Sequence, residues 1–208
     1  DTSCAVVLYN GAKYAMEAKF INFAVRKAYH KRIQILTEEG LKYSFVNIPY
    51  HRFVEYSETV GGIQVKVTDA DGENVRLMEK SHIRDKSIDD NYKQKQFNIP
   101  DVYPGDIIDI RYEVVGVFPQ YYEKQMDSTS NYDDFGFMTR TGTGDDIILP
   151  EWNFQDEIPV VKSELELVYF DEYRFDAIIT GEDKVTKEEQ SGGVYKRMNR
   201  QAVKRKHF

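Results

Sequence analysis

The chain has 208 residues and a formal charge of -7, so it lacks the basic footprint that nucleic-acid binding requires. Its single cysteine, Cys4, excludes an intramolecular disulfide and a cysteine-built metal site. No apolar run approaches the roughly 20 residues of a membrane-spanning helix. With 15 Tyr and 12 Phe against 1 Trp, the aromatic content favours half-buried pleated surfaces.

Residues 6–9 form a short apolar run, which the turn dipeptide Asn10-Gly11 is expected to end. Residues 12–18 are compatible with one or two helical turns. Over residues 23–35 the odd positions carry Phe23, Val25, Lys27, Tyr29, Lys31, Ile33 and Ile35, against Arg26, His30, Arg32 and Gln34. This alternation, imperfect in its middle, predicts a long strand with one wet face. Glu38-Glu39-Gly40 turns the chain into a strand over 41–48, which Pro49 is expected to stop. Residues 53–60 admit another short helical turn.

Ile63, Val65 and Val67 alternate cleanly with Gln64, Lys66 and Thr68, and the loop 69–73 then predicts a hairpin returning over 74–78. Phe97 and Ile99 lead into Pro100, and Pro104-Gly105-Asp106 reads as a tight turn, proline fixing φ and glycine freeing it. Ile108, Ile110, Tyr112 and Val114 make a further strand. Residues 119–149 form a long acidic, Gly/Thr-rich insertion without apolar periodicity, and a loop of that length is functional or disordered. Strand patterns resume with Val161, Leu165, Leu167 and Tyr169, then over 175–180, 185–187 and 194–203. Strands without intervening helices predict an all-β, mostly antiparallel β-sandwich with few or no helices, a single module over 1–208. The chain opens on Asp1 and stops at Phe208 inside strand-like sequence. It is therefore expected to be a processed or trimmed piece of a longer protein, truncated at its C-terminus.

Three stretches together carry a resemblance: residues 32–40 (RIQILTEEG), 97–112 (FNIPDVYPGDIIDIRY) and 152–164 (WNFQDEIPVVKSE). In order and spacing they resemble the domain of unknown function 3857 (DUF3857). That is the N-terminal β-domain found ahead of transglutaminase-like domains in exported bacterial proteins, notably of Bacteroidetes. The resemblance implies an extracytoplasmic module of the periplasm or cell envelope, its signal peptide already removed. It would have no catalysis or cofactor of its own. Its partner would be a downstream, papain-like transglutaminase domain of the same polypeptide. Family members join the two later stretches by a short connection, whereas here the acidic segment 127–146 intervenes.

The residues of those stretches also read as scaffold without the family. Pro104 and Gly105 set a turn. Trp152 and Phe154 share a parity and plug one sandwich face, Gln155 is suited to satisfying backbone groups beside them, and Pro159 follows. Catalysis through Cys4 would need a histidine and an orienting group within reach. The candidates are His30, His51, His82 and His207, but His30 sits on the polar face of a predicted strand between Arg26 and Arg32, and Cys4 lies at a terminus, a poor place for a preorganised site.

Asp69-Ala70-Asp71-Gly72-Glu73 resembles the start of a calcium loop but lacks the full ligand ladder and flanking helices. Asp133-Asp134 and Asp145-Asp146 read as a solvated loop rather than a cation site. The basic stretch 196–206 reads as a charged edge or tail. Aromatics in loop-like sequence, Tyr50, Phe53, Tyr56, Tyr121, Tyr122, Tyr132, Phe135 and Phe137, are candidate contacts for a sugar or a partner. Two functions follow: a non-catalytic accessory domain packing on a downstream catalytic domain, or a free-standing module binding an envelope glycan or peptide. For the second, Tyr121, Tyr122, Tyr132, Phe135 and Phe137 are the binding candidates.

Overall fold

A computed structural model describes residues 3–19, 22–52, 57–118, 152–168, 185–190 and 195–201. Among them lie eleven strands: β1 (Ala5–Lys19), β2 (Asn22–Ile35), β3 (Phe45–His51), β4 (Ser57–Thr68), β5 (Val75–Leu77), β6 (Arg84–Ser87), β7 (Tyr92–Asn98), β8 (Ile107–Phe118), β9 (Lys162–Val168), β10 (Val185–Gln190) and β11 (Tyr195–Gln201). The helical content of these residues is two 3-10 segments, Glu38–Ser44 and Lys80–His82. One sheet runs β10-β11-β9-β1-β2-β8-β4-β5 and a second β3-β7-β6. All pairings are antiparallel except β1 with β9, which is parallel. The architecture is the expected mostly antiparallel β-sandwich.

The core lies between the two sheets. The large sheet contributes Val7, Ile33, Ile35, Val65, Val67, Ile108 and Ile110, and the small layer contributes Ile48, Tyr50, Phe97 and Ile99. Ile158 and Val160 close one side, anchored where Val7 N donates to the Pro159 carbonyl and Val161 N to the Val7 carbonyl, both at 2.8 Å. Each fully buried Ile or Val of this set stabilises the fold by about 1.5–3 kcal/mol relative to exposure.

Several local readings differ from the sequence pattern: residues 41–44 belong to a 3-10 segment and not to a strand, and 57–60 open β4 in place of a helical turn. Asn10-Gly11 does not turn the chain, and residues 12–18 are not helical; β1 runs through both. A bulge between Val7 and Tyr9 breaks the parity there, and pairing with β2 on one side and β9 on the other overrides the helix propensity of the Ala-rich segment. Pro49 sits inside β3 instead of ending it. That strand is an edge of the small sheet, where a missing N–H costs no ladder bond. Tyr50 belongs to the same strand and is 8% exposed, a core residue whose hydroxyl donates to Asp85, so it is not a loop contact. Strand β6 has no apolar alternation to announce it, being fully exposed along its length.

The Pro104-Gly105 turn docks on the large sheet. Gly105 has φ +100°, and a Cβ there would meet the Ala70 Cβ at 2.7 Å, so both conformation and space call for glycine. Gly105 N donates to the Ile35 carbonyl at 2.7 Å and Ile35 N to the Asp106 carbonyl at 2.9 Å. The buried Asp106 carboxylate accepts from Tyr103 N at 3.1 Å and Arg76 Nη2 at 2.6 Å, tying the turn to β5.

Candidate functional site

Beyond the bulge, the register places Asn10, Ala12, Tyr14 and Met16 of β1 on the core-facing side of the large sheet. Val25, Lys27, Tyr29 and Lys31 of β2 and Tyr112 and Val114 of β8 share that side. Here aromatic rings gather. Tyr29 stacks on Tyr112 (centroids 4.8 Å apart, planes at 20°), lies 6.5 Å from Trp152, and meets Tyr14 edge-on at 5.9 Å. Phe154 stands at 90° to Trp152 at 6.4 Å. These separations are those of mutually attractive rings.

Between this cluster and the 152–156 segment lies a slot of about 370 Å³, lined by Asn10, Tyr14, Tyr29, Trp152, Asn153, Gln155 and Asp156. Its polar groups are three primary amides, two phenols, an indole and one carboxylate. The carboxylate is neutralised by Lys31, whose Nζ lies 2.6 Å from Asp156 Oδ2. Burial pushes the Asp156 carboxyl up, but the hydrogen bond and charge of Lys31, with the backbone N–H of Glu157, outweigh it and hold the group below its ordinary value. Burial raises the phenols of Tyr14, Tyr29 and Tyr112. For Tyr29 the nearby Tyr14 adds to the rise, whereas for Tyr14 the bond to Tyr29 opposes it. All three are therefore neutral at ordinary pH. The Tyr29-to-Tyr14 hydroxyl contact is long, 3.4 Å, leaving both hydroxyls with capacity for a better partner. Trp152 Nε1 is buried without a hydrogen-bond partner among the described residues.

On the same face, a buried polar knot joins the two layers. Lys27 Nζ pairs with Glu58 Oε1, while Glu58 Oε2 accepts from both His51 N and His51 Nδ1 at 2.8 Å. Glu58 is 1% exposed. The arrangement crosslinks β2, β3 and β4, and its geometry is that of a structural tie.

The opposite face of the large sheet is polar and holds a groove of about 580 Å³ that includes Tyr9, His30, Gln64, Arg111 and Glu164. His30 Nε2 lies 3.1 Å from both Asp109 oxygens, and Arg32 and Arg111 flank the same carboxylate at 3.3 Å. Tyr9 donates to Glu164 at 3.0 Å across Gly11, where a Cβ would strike the Tyr9 hydroxyl at 2.3 Å. Lys13–Glu166, Arg26–Glu17 and Arg26–Glu113 continue the pattern. Such cross-strand charge pairs on an exposed face contribute about 0–1 kcal/mol each. His30 and Asp109 resemble the base and orienter of a triad, yet Cys4 makes no contact with them: its carbonyl accepts from Leu36 N and Thr37 N.

The sequence-predicted residues are distributed as follows. Trp152, Phe154 and Gln155 lie over the core-facing side, and Trp152 and Gln155 line the slot. Pro159 anchors β1, and Pro104 and Gly105 form the docked turn. Tyr121, Tyr122, Tyr132, Phe135 and Phe137, with Phe53, Tyr56, the Asp133-Asp134 and Asp145-Asp146 pairs and the whole 119–149 insertion, lie outside the described residues, as does the strand expected over 175–180. Asp69 closes its own loop, accepting from Glu73 N and from Asn74 N and Nδ2. Among the described residues no group of His, Cys, Asp or Glu is arranged to hold a metal ion, and no helix is long and apolar enough to cross a membrane. Sequence reasoning missed Asn10, Tyr14, Tyr29, Asp156 and the Lys27–Glu58–His51 knot. The one signal for them was the break in alternation at Lys27, Tyr29 and Lys31.

Comparisons with known proteins agree with this architecture. The profile of DUF3857, described as a domain of unknown function with a solved structure, matches residues 22–202. No curated protein matches. Among solved structures, a candidate protease from Parabacteroides distasonis shares the fold, with a TM-score of 0.66 at 11% identity, over 96% of this chain and 36% of that one. Aminopeptidase A of Legionella pneumophila, solved in complex with aspartic acid, aligns at a TM-score of 0.34 and 9% identity over 97% of this chain and 22% of its own, too distant to bear on the fold. The chain thus spans about a third of the length of the Parabacteroides structure.

Proposed function

The chain belongs to the DUF3857 family, and from that footing we propose that it is a non-catalytic accessory domain of a longer, extracytoplasmic protein. Its role is to pack against a downstream catalytic domain of the transglutaminase-like, papain-like type and to shape that domain's surroundings. The observation that carries this reading is the size relation: nearly all of this chain's fold is matched within 36% of a longer protein described as a candidate protease. The described residues support it from the other side. Cys4, whose carbonyl is bonded to Leu36 N and Thr37 N, is no part of the His30–Asp109 or His51–Glu58 pair. Any cysteine chemistry belongs to the neighbouring domain.

The test is the intact mass of the native polypeptide from its source cells, with peptide sequencing past Phe208. Continuation into a segment carrying Cys, His and Asp is the expected result. A native chain ending near Phe208 overturns the proposal.

A further inference from the structure

We propose that the slot between the Tyr14–Tyr29 cluster and Trp152 is a binding site for one ring of a neutral saccharide. This goes beyond the accessory role and does not depend on it.

Three observations converge on that ligand class. The first is chemical balance. Asn10, Asn153 and Gln155 each bring a donor and an acceptor, and the Tyr14 and Tyr29 hydroxyls can do either. Groups that both donate and accept match sugar hydroxyls, which do the same. The second is charge. Among the described residues at the slot the ionised groups are Asp156 and Lys31, paired at 2.6 Å, so these residues bring no net charge to attract an ionic ligand. The third is the place of the rings. Trp152 and Tyr29 line the slot beside the amides, so C–H groups of a ligand meet ring carbon while its hydroxyls meet the amides.

One further feature fits. The volume, about 370 Å³, lies near the lower end of small-molecule sites and suits one ring rather than an extended peptide. An extended peptide would instead seek an unpaired strand edge for main-chain hydrogen bonds, and Tyr14 and Tyr29 lie on β1 and β2, inside the sheet.

Trp152 is the single tryptophan of the chain, so its emission reports the slot directly. The experiment titrates the chain with cellotriose, maltotriose and tri-N-acetylchitotriose, and in parallel with the blocked dipeptide N-acetyl-alanyl-prolinamide. The expected result is a saturable change in Trp152 emission with at least one saccharide, weakened at least tenfold in Asn153→Ala and in Gln155→Ala. Asn153 is exposed, so its truncation leaves the fold in place, and near-UV circular dichroism of both variants checks this. Three outcomes overturn the proposal: no saturable response to any saccharide, a response unchanged in both variants, or a response to the dipeptide alone, which would assign the slot to peptides.

Discussion

Lys27 and Glu58 form an ion pair that passes over an intervening strand. Lys27 is on β2, opposite Val114 of β8, and Glu58 is on β4, opposite the buried Gly116 of the same strand. The pair therefore spans β8 diagonally, and Glu58 reaches further to His51 of the second layer. Breaking a buried pair by removing one partner leaves an uncompensated charge, whereas replacing both is close to neutral. Lys27→Met is expected to lower stability by about 3–5 kcal/mol. The double variant Lys27→Met/Glu58→Gln, which keeps an acceptor for His51 N, is expected to recover most of that loss. Urea denaturation of the two variants decides it: a double variant no more stable than the single one rules out pairing as the cause.

Gly105→Ala should destabilise the fold by about 1–3 kcal/mol, the cost of a non-glycine residue held in a sparsely populated conformation. The added Cβ also collides with Ala70. Adding Ala70→Gly relieves the collision but not the φ of +100°, so rescue in thermal melts should be partial. Complete rescue would mean that φ contributes nothing.

Tyr14, Tyr29 and Tyr112 all have phenols raised above their ordinary value by burial. A group whose folded pKa is raised contributes stability that is fully present below its unfolded value and is lost as pH rises above it. Ultraviolet titration should show the exposed tyrosines ionising near pH 10 while these three stay neutral until the alkaline unfolding transition. Tyr112→Phe should remove one of the late-titrating phenols and make the alkaline loss of stability less steep. Ionisation of every tyrosine in one step near pH 10 would contradict the burial of this cluster.

Acid should act on the other side of the slot. The Asp156 carboxyl is held below 3.8 by Lys31 and Glu157 N, against the opposing effect of burial. Its contribution is present above its unfolded value and is lost as pH falls through the lower, folded value. Trp152 emission is expected to hold steady from neutral pH to about 4 and to move to longer wavelength below that, as the Lys31 tie is lost. In Asp156→Asn this acid step should be absent. A step of equal size in the variant would place its origin elsewhere.

The strands with one wet face were legible from alternation alone. Ile63, Val65 and Val67, and Ile108, Ile110 and Val114, all face the core as their parity required, apart from Ile63, which is only partly buried beside it. Alternation failed where two sheet neighbours competed with a local preference, as in the Ala-rich part of β1, and where an edge excused an ill-suited residue, as at Pro49. It also gave no hint of β6, whose side chains all face water.

By itself the sequence determined the fold class, the Pro104-Gly105 turn, and the fact that Lys27 and Lys31 share the apolar face of β2. What only the tertiary structure decided was why that face tolerates them. Lys27 finds Glu58 across 31 positions and Lys31 finds Asp156 across 125, and the same closure brings Trp152 over Tyr29 to form the slot. The physical reason is that a two-residue period fixes which side of a sheet a residue occupies but carries no information about which distant strand lies beside it. Partners in a sandwich are chosen by the order of the strands, and that order is set by the packing of the whole chain.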